Sequence, residues 1–143
     1  MEYMEKKDLD SAIKDFDKAI ELEPDGPHAY NNRGNAYLFK GQREAAVENF
    51  ARAIKINPRF VEPYQNRGIA RYFEGNPGPA IADLTVAIEL EPGNAAAYYV
   101  RGLCYAMKDE KKSAVEDLEK VLELSGDPAL KEKAVNYIEK LKQ

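Results

Sequence analysis

The sequence holds a single cysteine, Cys104, and a single histidine, His28. One thiol cannot close an internal disulfide or supply a metal-ligand pair, so a disulfide framework is excluded and a reducing compartment is compatible. One imidazole excludes a two-histidine zinc motif. No apolar run approaches the roughly 18 residues that a bilayer span needs, and Met1 opens a charged segment rather than a signal peptide. The expected location is therefore cytoplasmic. Positive charge is not in excess either. The net charge is −4 and the pI about 5.2, which argues against nucleic acid as a partner, since a basic face normally dominates that affinity.

Catalytic chemistry is equally sparse. No Gly-x-x-x-x-Gly-Lys phosphate loop occurs; Gly75-Asn76-Pro77-Gly78-Pro79 lacks the lysine and falls in an inter-helix turn. The acidic pairs Asp8/Asp10 and Glu116-Asp117 fall on helical stretches, where carboxylates ordinarily make a solvated face. Cys104 takes a small-residue position, which points to packing rather than nucleophilic attack. No acid, base and oxyanion donor come together. Neither an enzyme nor a cofactor or metal is expected.

What is present is a period. The chain of 143 residues, 32% charged and 44% hydrophobic, suits one compact domain or a short repeat array. Ala12, Ala46, Ala80 and Ala114 recur at a spacing of 34 residues, and Phe16, Phe50, Leu84 and Leu118 follow at the same spacing. Then come Ala19, Ala53, Ala87 and Val121, with Pro24, Pro58, Pro92 and, less faithfully, Gly126 closing the segments. Upstream in three units stand Tyr30, Tyr64 and Tyr98, then Gly34, Gly68 and Gly102. Such self-similarity marks a repeat architecture.

Each unit predicts two helices. Tyr30, Gly34 and Tyr37 share one face of the first. Gly41 interrupts, and Ala46, Val47, Phe50, Ala53 and Ile54 form the apolar stripe of the second. Pro58 ends the pair, because proline cannot continue the ladder and restrains its predecessor. Small residues at Gly34, Ala46 and Ala53 let backbones approach while aromatic rings fill the space beside them. A lone hairpin cannot bury both apolar faces; stacked hairpins can. At the carboxyl end, Asp127-Pro128 is a helix start. Leu130, Ala134, Tyr137, Ile138 and Leu141 form a stripe suited to a capping helix.

These residue types and this spacing resemble the tetratricopeptide repeat. The resemblance divides the chain into an incomplete hairpin at 1–26, full repeats at 27–60, 61–94 and 95–128, and a capping helix at 129–143. It implies an all-α, right-handed superhelical solenoid of stacked antiparallel helix pairs in one structural domain. Counting back in register, Tyr3 takes the second aromatic position, so either the chain is a fragment of a longer protein, which is the favoured expectation, or its first hairpin is short and leaves an apolar edge uncovered. Arg33, Arg67 and Arg101 stand where the family usually has leucine, and Arg71 replaces the second aromatic.

The resemblance further implies a peptide-binding groove on the first helices, and hence a scaffold or adaptor that binds an extended peptide or helix of a partner protein. Carried over by position, the groove comprises Asn31, Asn32, Asn35 and Phe39, then Gln65, Asn66, Ile69, Arg71, Tyr72 and Phe73, then Tyr99 and Leu103. Asn32 and Asn66 are equivalent, and a side-chain amide can both donate to and accept from a peptide unit. They either grip peptide as a two-rung ladder or simply solvate the groove. Tyr72, Phe73, Tyr99 and Leu103 either pocket an apolar side chain or form inter-repeat core. The arginines either steer neutral or acidic ligands or pair with neighbouring carboxylates over apolar surface. Relatives that clamp acidic chaperone tails follow an asparagine with lysine and arginine one repeat on. Glu62 and Asn66 stand there instead, then Ala96 and Val100, so a two-carboxylate clamp is not expected. No membrane or nucleic-acid partner is expected. The alternative function is a self-associating scaffold, a homo-oligomer stacked through an uncapped amino edge.

Overall fold

The computed structural model describes residues 6–143 (the backbone only for Lys7), so the expectation at Tyr3 lies outside the described residues. Among the described residues there are eight helices and no strand: α1 (Lys6–Leu22), α2 (Pro27–Phe39), α3 (Arg43–Ile56), α4 (Val61–Phe73), α5 (Pro77–Leu90), α6 (Ala95–Met107), α7 (Lys111–Leu124) and α8 (Pro128–Leu141). None of them is long and apolar enough to cross a membrane. The helices form two compact units, one ending at Ala70 and the other spanning Arg71–Gln143.

The turns repeat as faithfully as the sequence does. Between α2 and α3 Gly41 adopts φ +79°, Gly75 adopts φ +74° between α4 and α5, and Asp109 adopts φ +60° between α6 and α7. Each is followed by the same closing bond: Gln42 N–H donates to the Tyr37 carbonyl, Asn76 to Arg71 and Glu110 to Tyr105, all at 2.9 Å. These bonds satisfy carbonyls that a helix end would otherwise leave bare. At the far ends of the second helices, Asn57 N–H donates to Ala53, Glu91 to Ala87 and Ser125 to Val121. Glu23 makes the same bond to Ala19, so α1 closes as a second helix does. Asn57 and Glu91 have extended backbones and precede Pro58 and Pro92, as the ring of a following proline demands. Pro77 and Pro79 both fall in the first turn of α5, where a missing N–H costs nothing.

Within each unit, helices that pack together are neighbours in sequence. Ala46, Phe50 and Ala53 of α3, Ala80, Leu84 and Ala87 of α5, and Ala114, Leu118 and Val121 of α7 are fully buried. In the amino-terminal unit, Leu9 and Ile13 of α1 close over Ala36 with Phe16 and Tyr37 beside them. In the carboxyl-terminal unit, α8 lays Ala134 and Ile138 on Leu118 and Val121. Its start is capped by Asp127, whose carboxylate accepts from the Ala129 N–H at 3.0 Å.

Candidate partner-binding surface

The first helices of the hairpins, α2, α4 and α6, carry every residue singled out for binding. In the amino-terminal unit, Asn32 is exposed on α2, while Asn35, Gln65, Asn66 and Ile69 are half-buried. Asn31 is only 6% exposed, and its side-chain oxygen accepts from the Asn66 amide at 3.1 Å. The expectation placed Asn66 in one ladder with Asn32; instead Asn66 reaches diagonally to the neighbour of Asn32. That bond spends one amide donor of Asn66 and the oxygen of Asn31. Nearby, the His28 ring lies 4.7 Å from Phe60, tilted by 57°, an edge contact that keeps a solvent-exposed imidazole in one place. Lys40 is paired with Asp10 of α1, and that pairing holds the Asp10 carboxyl below its ordinary range.

In the carboxyl-terminal unit, Arg71 is engaged by a carboxylate of its own hairpin. Its guanidinium meets the buried Asp83 carboxylate at 2.8 Å. Leu103 is 9% exposed and belongs mostly to the core. Tyr72 and Tyr99 remain half-buried, and Tyr72 meets Phe73 edge-on with centroids 5.4 Å apart. Burial pushes both phenols above their ordinary pKa, and the neighbouring Tyr137 hydroxyl of α8 pushes them further. Tyr137 is a residue that sequence reasoning assigned to the cap alone. Its place beside Tyr72 and Tyr99 makes the cap part of the same aromatic patch.

Among the described residues Leu22, at the end of α1, is the most exposed large apolar side chain at 83%, but three others recur at a shared position. Phe39 is 60% exposed, Phe73 57% and Met107 47%, and each ends its first helix at one position of the 34-residue period. Folding leaves each of these large apolar groups in solvent.

The Arg-Gly arginines have a packing role where their contacts are resolved. Arg101 forms a two-pronged bond to Asp117, Nε to Oδ2 and Nη2 to Oδ1, both at 2.8 Å, and its Nη1 donates to Thr85 at 3.2 Å. Arg33 copies this two repeats earlier, with Nε on Asn49 at 2.6 Å and Nη1 on Asp17 at 2.8 Å. Each guanidinium thus bonds sixteen residues forward within its own hairpin and sixteen back to the previous one. Cys104 is fully buried, and desolvation raises its thiol to about 11. Among the described residues, no three His, Cys, Asp or Glu side chains group as a metal site.

The comparisons with known proteins agree with this architecture. Family models described as TPR repeat and tetratricopeptide repeat match residues 2–41, 27–60 and 66–128. The chain belongs to the tetratricopeptide repeat family. Among solved structures, this TPR chain is similar to MamA at 26% identity and a TM-score of 0.80, over 95% of this chain and 88% of that one. It is similar to the second TPR domain of human RPAP3 in complex with the HSP70 peptide SGPTIEEVD, at 28% identity and TM-score 0.74, over 82% and 99%. The first TPR of Spaghetti (RPAP3), bound to the HSP90 peptide SRMEEVD, shares the fold at 24% identity and TM-score 0.77, over 82% and 90%. No curated protein sequence matches the chain.

Proposed function

We propose that this tetratricopeptide chain is a non-catalytic interaction module that binds an extended peptide or helix of a partner protein through its first helices. The observation that carries the reading is the recurrence of Phe39, Phe73 and Met107, three large apolar side chains left exposed at one register position. Leaving such a group in water forgoes roughly 1.5–3 kcal/mol each, a stabilisation recovered when a partner covers it. In the amino-terminal unit Asn32 and the remaining amide donor of Asn66 offer bonds to a peptide backbone, and in the carboxyl-terminal unit Tyr72, Phe73 and Tyr99 offer an apolar seat. RPAP3 domains of similar fold are seen with acidic peptides. Here Glu62, Asn66, Ala96 and Val100 hold the places where a two-carboxylate clamp needs cations, so the favoured ligand is a neutral or mildly acidic peptide without a dicarboxylate tail.

Panning a displayed library of twelve-residue peptides against the full chain tests this. Recovered peptides should bind Phe39→Ser, Asn32→Ala and Phe73→Ser variants at least tenfold more weakly, with unchanged circular dichroism. Peptide SRMEEVD should bind none of them appreciably. Recovered ligands indifferent to all three substitutions would remove the first-helix reading, and tight SRMEEVD binding would remove the ligand assignment.

A further inference from the structure

Apart from the residues proposed to bind peptide, the amino-terminal unit has a hollow of about 540 Å³ between α2 and α3 whose walls include Tyr30, Arg33, Glu48, Arg52 and Lys55. A second hollow of about 440 Å³ adjoins it and shares Tyr30, Arg52 and Lys55. The carboxyl-terminal unit has the same hollow two repeats on, about 460 Å³, built on Tyr98, Arg101, Glu116, Lys120 and Glu123. The floors match: Arg33 lies 5.4 Å from the centre of the Tyr30 ring and Arg101 5.4 Å from that of Tyr98. The charges do not. Lys55 is replaced by Glu123 and Ala51 by Glu119, so the second hollow turns acidic. There the cation is also consumed, since Lys120 pairs with Glu123 at 3.3 Å.

In the amino-terminal hollow only one of the three cations is consumed. Arg33 is already held by Asp17. Arg52 and Lys55 stand exposed three residues apart on one face of α3, and neither makes an ion pair among the described residues. Two like charges at that spacing repel, and neither Glu48 nor Asp25, the carboxylates lining the two hollows, forms an ion pair with either of them. The Arg52 guanidinium is partly fixed, 5.7 Å from the Tyr30 ring centre, so it presents its fork with less freedom to lose than a mobile side chain. An anion between Arg52 and Lys55 relieves the repulsion and accepts charge-assisted bonds from both. We infer that this hollow, formed by Tyr30, Arg52 and Lys55, is a second docking site that takes the carboxylates of an acidic segment on a partner protein. It shares none of Asn32, Phe39, Asn66 and Phe73, the residues proposed to bind peptide. Because both cations lie at the surface, its affinity depends on salt.

A fluorescein-labelled hexaglutamate peptide read by anisotropy against the full chain at about 50 mM salt provides the test. Wild type binds, and raising salt tenfold weakens binding. Arg52→Glu with Lys55→Glu lowers affinity by about tenfold or more, and the milder Arg52→Gln, Lys55→Gln pair lowers it in the same direction. Lys120→Glu, at the equivalent place in the acidic hollow, changes it less than about twofold. Phe39→Ser and Phe73→Ser leave it unchanged, which separates this site from the first-helix reading. Absence of binding at low salt, wild-type affinity in both Arg52/Lys55 double variants, or equal loss in Lys120→Glu overturns the proposal.

Discussion

At the residue scale, the tightest requirement sits between Gly34 and Phe50. A methyl group on Gly34 would fall 2.6 Å from Cε1 and 2.8 Å from Cδ1 of the buried Phe50 ring, which has no free end to move aside. Alanine gains about 1 kcal/mol of helix propensity there, but overpacking a full core costs about 1–3 kcal/mol, so Gly34→Ala should destabilise in urea titration. At Gly102 the nearest atoms are 3.2–3.3 Å away, and Gly102→Ala should lie nearer to neutral. Phe50→Ala, which empties the same space, should cost about 3–5 kcal/mol; an unchanged melting temperature would contradict the packing. Cys104 gives a pH signature. Burial raises its thiol from 9.0 to about 11, so the fold favours the neutral form. The resulting stability is complete below about pH 9 and is lost as pH rises through 11. The stability difference between wild type and Cys104→Ala should therefore shrink over that interval, and native Cys104 should resist thiol reagents at pH 8.

At the scale of elements, the turn between paired helices asks for one left-handed residue, and the three hairpins answer differently. Gly41 and Gly75 take the conformation freely. Asp109 takes it at φ +60°, a region where a side chain is disfavoured although aspartate tolerates it better than most. The backbone closing bonds do not change, since those of Asp109 and Glu110 copy those of their counterparts. Asp109→Gly should then raise stability by about 0.5–1 kcal/mol, read as a higher urea midpoint with unchanged slope. The cap allows the opposite test. Without residues 127–143, Leu118 and Val121 would lose the cover of Ala134 and Ile138, so a chain ending at Gly126 should melt lower and associate with rising concentration. The paired helices were legible from the period and the capping helix from Asp127-Pro128 and its apolar stripe, because spacing determines which side chains share a face. Side-chain partners were not. Asn66 choosing Asn31 over solvent, Arg71 turning to Asp83, and Tyr137 joining Tyr72 and Tyr99 depend on how far helices approach, which periodicity does not encode.

For the molecule as a whole, a repeated contact pattern has a kinetic consequence. Within each unit every well-packed helix pair is consecutive in sequence, so little loop entropy must be surrendered before contacts form. Helical proteins with such local contacts fold in microseconds to milliseconds. The acidic net charge of −4 is small for this length and adds little self-repulsion. The two arginine bonds that span adjacent hairpins, Arg33 to the Asp17 carboxylate and Arg101 to the Thr85 hydroxyl, likewise join residues only sixteen positions apart in sequence. Refolding from urea followed by stopped-flow circular dichroism should accordingly be complete within milliseconds for the main phase. Asp17→Ala should act mainly on unfolding if the bridge forms after the hairpins have collapsed, because interactions absent from the transition state change the unfolding rate alone. A refolding rate that falls in proportion to the stability lost in Asp17→Ala would instead place that bridge in the folding nucleus. The stacking of one hairpin on the next would then precede the completion of either.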